Sequence, residues 1–291
     1  MLAAPPHGAD ELMADSASDS RTGECTLSDG RTVAYTTSGD PDGLPVFVHH
    51  GSPGSRLFGS LVTDSAKAAG CRLVIPDRPG YGCSSPPPDG WTWSDWPADL
   101  DAVRRAESID RAAHMGFSGG GPFAIATAAA DWTTRIALVS TVVPPAENGL
   151  ATVSKIPYGL RALFRLSSAL ASVSGPDRIV AQYTDRAVPD PVTQAVGADF
   201  HEALRQGTNA VARECRRFAR ESLDADGVDS PLRWWHGTAD TNAAIEPVRT
   251  LADEVGADVV ESDTDHLGVL LDQQRDIFEW LTADRRVSES G

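Results

Sequence analysis

The chain has 291 residues, 41% of them hydrophobic, and a formal net charge of −16 at pH 7. That apolar fraction supplies a sizeable core, and the length suits one large α/β domain with an insert better than two independent domains. The acidity opposes partners such as nucleic-acid phosphates or anionic membranes, and no apolar run reaches the roughly 18 residues that a membrane-spanning helix needs.

Residues 1–23 are rich in Ala, Ser, Asp, Gly and Pro and lack the basic-then-apolar pattern of a signal peptide, so a flexible tail is expected. Asp29-Gly30 lies between two β-prone runs, 24–27 and 32–37, which predicts a hairpin. A repeating pattern follows. Strands are expected at 45–50, 71–76, 112–117 and 135–143, with helices at 57–69, 91–108 and 119–130 between them. Short apolar runs alternating with helices indicate βαβ units and a mostly parallel sheet flanked by helices. The rhythm breaks after Pro144-Pro145. Residues 146–227 carry helical patterns, such as 157–171 and 198–223, and no convincing strand. It resumes with strands at 232–236 and 258–261 and helices at 246–255 and 269–282. The expected division is a tail (1–23), a first core part (24–145), a helical cap (146–227) and a second core part (228–284).

Four segments carry chemistry, each at an expected strand end. Gly116-Phe117-Ser118-Gly119-Gly120 has the spacing G-x-S-x-G between a strand and a helix. A tight turn there strains the serine, and glycines two residues to either side let strand and helix approach. Ser118 is the candidate nucleophile; a glycine-rich turn with a capping serine is the alternative. His50-Gly51-Ser52-Pro53-Gly54 is a glycine-rich loop that can aim a backbone N–H at a developing oxyanion. Its candidate donor is Ser52 N–H, since Pro53 has none, with Gly119 N–H as the second. Asp240, in Gly237-Thr238-Ala239-Asp240, is the candidate acid, with Asp263 and Asp265 as competitors. His266, in Asp265-His266-Leu267-Gly268, is the only histidine after Asp240 and the candidate base. His7, His114, His201 and His236 read as structural.

With the Asp77-Arg78-Pro79-Gly80-Tyr81-Gly82 segment, these motifs resemble the α/β-hydrolase superfamily, specifically its capped serine hydrolases. The resemblance spans about residues 30–283. It implies an α/β-hydrolase fold with a helical cap before the acid-bearing strand. It also implies Ser118 as nucleophile, His266 as general base, Asp240 as the acid that orients it, and an oxyanion hole from Ser52 and Gly119. The expected activity is hydrolysis of an ester or related acyl bond of a small-molecule substrate, with no cofactor and no metal. A proline-iminopeptidase-like aminopeptidase, a carbon–carbon bond hydrolase, an acyltransferase or perhydrolase, and a non-catalytic receptor are the alternatives. Glu202, Glu214 and Glu221 read as ordinary helix-surface acids. Arg213, Arg216, Arg217 and Arg220 read as a solvated face paired with acids, or else a carboxylate-binding face. Trp91, Trp93 and Trp96 read as core, or else as pocket lining.

The four cysteines, Cys25, Cys71, Cys83 and Cys215, show no metal-ligand spacing. A cytoplasmic monomer or homodimer with reduced thiols is expected.

Overall fold

The structure is a computed structural model and describes residues 20–283 except 148, 224, 226, 227 and 229. Eight strands form one sheet: β1 (Arg21–Thr26), β2 (Thr32–Gly39), β3 (Leu44–His49), β4 (Cys71–Pro76), β5 (Ala112–Phe117), β6 (Thr133–Val139), β7 (Leu232–Gly237) and β8 (Asp258–Ser262). Their spatial order is β1-β2-β4-β3-β5-β6-β7-β8. The first two pairings in that order are antiparallel and the rest parallel. The helices are α1 (Thr63–Ala68), α2 (Trp96–Ala106), α3 (Gly121–Ile125), α4 (Gly149–Ser154), α5 (Gly159–Ser174), α6 (Asp177–Val180), α7 (Asp190–Ala203), α8 (Asn209–Phe218), α9 (Ile245–Val255) and α10 (His266–Leu281).

Side chains alternate between the two faces of the sheet, and both faces are buried, as a parallel sheet requires. Val46, Leu73, Met115, Val139 and Trp235 pack with Ala66 of α1 and Ile277 of α10. Phe47 and Val74 pack on the other face against Leu100 and Val103 of α2, and Leu138 and Trp234 against Val248 of α9. Helices α4 to α8 lie between β6 and β7, and no strand occurs there among the described residues. No described helix is long and apolar enough to cross a membrane.

Several elements differ from the sequence reading. Residues 21–23, expected in the tail, begin β1 and pair with 35–37 of β2. The helix expected at 57–69 is a 3-10 helix, Arg56–Leu61, followed by α1. That expected at 119–130 starts as a 3-10 turn, Ser118–Gly120, and its α-helical part stops at Ile125. The strand expected at 135–143 ends at Val139, because Ser140 turns into the left-handed region at φ 47°. The long helix expected at 198–223 is two helices, α7 and α8, divided near Gly207 at φ 94°. α10 begins three residues before 269 because Asp265 caps it, its Oδ1 accepting from Gly268 N at 2.9 Å.

Candidate active site

β5 ends at Phe117, and the next residue, Ser118, has φ 53°. A non-glycine residue seldom adopts this left-handed conformation, which costs on the order of 1–3 kcal/mol where a fold imposes it. The two flanking glycines make the turn possible. A Cβ on Gly116 would lie 2.9 Å from Gly121 Cα, and one on Gly120 would collide with the His49 carbonyl. The serine therefore sits at the carboxyl end of the sheet, where ligands of open α/β sheets bind.

The β7 and β8 loops meet at the same end. His266 Nδ1 lies 2.7 Å from Asp240 Oδ2, and Asp240 Oδ1 accepts from Asn242 N and Ala243 N at 2.8 and 2.9 Å. Burial works to raise the Asp240 carboxyl, but the His266 hydrogen bond and charge and the Ala243 N–H outweigh it, so the acid is held below its ordinary range. The other imidazole nitrogen, Nε2, is buried and has no hydrogen-bond partner among the described residues. It makes no bond to Ser118 Oγ; such bonds commonly tighten only once substrate is bound. The rings of Phe117 and Tyr183 flank His266 at 5.2 and 6.2 Å. Of the competing acids, Asp263 is exposed, while Asp265 Oδ2 accepts from Thr184 Oγ1 and Asp185 N.

Ser52 and Gly119 are neighbours: a Cβ on Gly119 would lie 2.8 Å from Ser52 Cβ. The loop that carries Ser52 is held by a buried cluster the sequence did not reveal. Arg78, fully buried, donates to the His50 carbonyl, to the Gly51 carbonyl at 3.0 Å and to Ser52 Oγ at 2.8 Å. Glu214 of α8 answers it, accepting from Arg78 Nε and Nη2, each at 2.9 Å, from Tyr81 Oη at 2.7 Å and from Ser52 Oγ at 2.6 Å. Glu214 is thus not an ordinary surface acid. Only the meeting of α8 with the Arg78 segment shows this.

The remaining candidates fall into place around this frame. Glu202 pairs with Arg56 at 2.7 Å, and Glu221 with Arg217 at 3.2 Å. The same Arg56 guanidinium pairs with Asp77 at 2.7 Å, so it fills the space among Asp77, Cys83 and Glu202, whose ligand atoms cluster as a cation site would need. Arg216 is lowered by burial and by Arg161, Arg220 and Arg213. Trp96 is buried and donates to His49 Nδ1 at 3.0 Å, while Trp93 stacks on Phe218. His114 lies 3.1 Å from His49 Nε2, and His236 Nε2 lies 2.9 Å from the Ala243 carbonyl. His201 is exposed on α7, and His7 lies outside the described residues. Above Ser118 opens a cavity of about 450 Å³. Ser52, Ser118 and Gly119 form its floor, and Leu150, Val153, Phe164, Cys215 and Phe218 form apolar walls. None of Arg213, Arg216, Arg217 and Arg220, and none of Trp91, Trp93 and Trp96, lines it.

Comparison with known proteins agrees with this architecture. The family described as alpha/beta hydrolase fold matches residues 45–166. A non-heme chloroperoxidase of Streptomyces lividans is 36% identical over 125 residues, covering 42% of this chain and 45% of that protein. A proline iminopeptidase of Xanthomonas citri is 34% identical over 112 residues, covering 37% and 34%. The chain thus spans less than half the length of these curated relatives. An esterase from Exiguobacterium antarcticum superposes with a TM-score of 0.67 at 17% identity, covering 91% of this chain and all of that one. By its sheet order, its family match over residues 45–166 and its structural neighbours, the chain has the α/β-hydrolase fold.

Proposed function

We propose that this chain is a serine hydrolase that cleaves an ester or related acyl bond of a small molecule through an acyl-enzyme intermediate. One observation carries the reading. Ser118 in its strained turn and the buried Asp240–His266 pair, 2.7 Å apart, follow β5, β7 and β8 at the carboxyl end of one sheet; Ser118 lines an apolar cavity, and the preceding Phe117 ring lies 5.2 Å from that of His266. In this reading His266 Nε2 takes the Ser118 proton as Oγ attacks the carbonyl carbon, then gives it to the leaving alcohol. Water enters by the same steps in reverse and releases the acid. Asp240 fixes the imidazole tautomer and stabilises the imidazolium. Ser52 and Gly119 N–H groups hold the oxyanion. Helices α4 to α8 act as the cap, and a mostly apolar cavity of about 450 Å³ suits a small apolar substrate. The chemistry calls for no metal or organic cofactor.

The aminopeptidase alternative asks for a free acid on the insert to hold a substrate amine. Glu202, Glu214 and Glu221 are each occupied by an arginine, which favours the ester. The likeness to a chloroperoxidase makes peroxide the acceptor to set against water. Stopped-flow hydrolysis of p-nitrophenyl butyrate tests the reading. A burst of one equivalent is expected from the wild-type chain and none from Ser118→Ala; full activity in that variant would overturn it. Added peroxide or alcohol that diverts the acyl product would recast the enzyme as a transferase.

A further inference from the structure

Two polar groups beside Ser118 have no part in the acyl-transfer steps. Asp199 of α7 is only 7% exposed, yet it lines a side pocket that shares Ser52, Pro53, Ser118 and Tyr183 with the main cavity. Its Oδ1 accepts both hydrogen bonds that anchor the carboxyl, from Ser55 N and Ser55 Oγ, each at 2.7 Å. Among the described residues, Oδ2 accepts none. Tyr183 lines both cavities, and its Oη makes no hydrogen bond either. The two are electrostatically in touch: burial first, and then the Asp199 charge, raise the Tyr183 phenol well above its usual range. Asp199 is buried and Tyr183 half-buried, and both free oxygens belong to residues that line the same small pocket, where a ligand in it can bond them.

The pocket also limits what that ligand is. It holds about 30 Å³, room for one small substituent, and its other walls include Phe58, Phe117, Val196 and Leu267. Among the described residues, Asp199 is the only acid lining either cavity at Ser118. Apolar walls disfavour a second buried ion; burial raises the Asp199 carboxyl itself to about 7, against the pull of its Ser55 hydrogen bonds. A neutral group that both donates and accepts fits better than an ammonium.

We infer that the side pocket is a specificity subsite for a hydroxyl on the acyl part of the substrate, one or two carbons from the scissile carbonyl, donating to Asp199 Oδ2 and accepting from Tyr183 Oη. The inference rests on Ser118 being the attacking group.

The test compares kcat/KM for phenyl esters of butyrate, 2-hydroxybutyrate and 3-hydroxybutyrate in the wild-type chain and in Asp199→Ala, Asp199→Asn and Tyr183→Phe. The wild type is expected to prefer one hydroxy ester over butyrate by roughly 10–100-fold. Asp199→Ala abolishes that preference, Tyr183→Phe reduces it, and Asp199→Asn, which keeps a hydrogen-bonding group, retains part of it. If Asp199 served only to anchor Ser55, its loss would slow all three esters together and leave their ratio unchanged. That result, or a wild type with no preference, overturns the subsite. Should Asp199→Ala fail to fold, Tyr183→Phe touches neither Ser55 hydrogen bond and decides the matter. Fluorophosphonate labelling of the same wild-type preparation separates the two failures. Labelled protein without a hydroxyl preference overturns the subsite alone, whereas protein that resists labelling overturns the nucleophile.

Discussion

Ser118 holds a conformation that its own side chain disfavours, and stability and activity should respond to it in opposite directions. Ser118→Gly removes the clash at φ 53°, so it should be about 1 kcal/mol more stable than Ser118→Ala by urea denaturation, while both are inactive. Asp240→Asn keeps the shape of the Asp240–His266 contact but loses the charge that, in the proposed mechanism, selects the tautomer. A fall in kcat of roughly 10³–10⁴-fold is expected with the melting temperature little changed, measured on an activated ester. These residues were legible in the sequence because each lies in a short motif at a strand end. Asp199 and Glu214 were not. Their partners Ser55 and Ser52 lie 144 and 162 positions away, and only the folding of α7 and α8 over the sheet brings them together.

At the scale of elements, the Arg78–Glu214 contact ties the insert to the loop carrying Ser52. Both groups are buried, and removing one partner leaves the other charge uncompensated. Glu214→Ala should therefore cost roughly 3–5 kcal/mol of unfolding free energy in denaturant titrations. It should also lower kcat more than it raises KM, because the Ser52 N–H loses its support. An unchanged kcat would mean that the loop holds its shape without α8. The strand-and-helix rhythm of the core was readable because apolar periodicity follows burial. Helix ends were read less well, since they are set by single events such as the Asp265 cap or the turn at Gly207. The insert was legible as helical but not as a cavity wall, because helical periodicity does not say which helix each face meets.

For the whole molecule, buried histidines dominate the response to acid. His49, His50, His114 and His236 are all lowered, with desolvation the largest cause, and His114 falls to about 3. A histidine whose folded pKa lies below its unfolded value takes up a proton on unfolding, so stability present above pH 6.5 is lost as pH falls. His114 alone should account for about 3 kcal/mol between pH 7 and pH 4. Asp199 acts oppositely. Raised to about 7, it holds a proton that the unfolded chain releases, so stability falls as pH rises from 4 to 7, by up to about 4 kcal/mol. Urea denaturation at pH 4.5 and pH 8 should show the wild type weaker in acid, and Asp199→Asn gaining stability relative to wild type at the higher pH.

The central proposal is that Ser118 carries the acyl chain. Its most direct test is intact-mass and peptide mass spectrometry after exposure to a fluorophosphonate. One adduct per chain, mapped to Ser118 and abolished in Ser118→Ala, is the predicted result. An unmodified chain that still hydrolyses esters, or an adduct on another residue that persists in the variant, would contradict it.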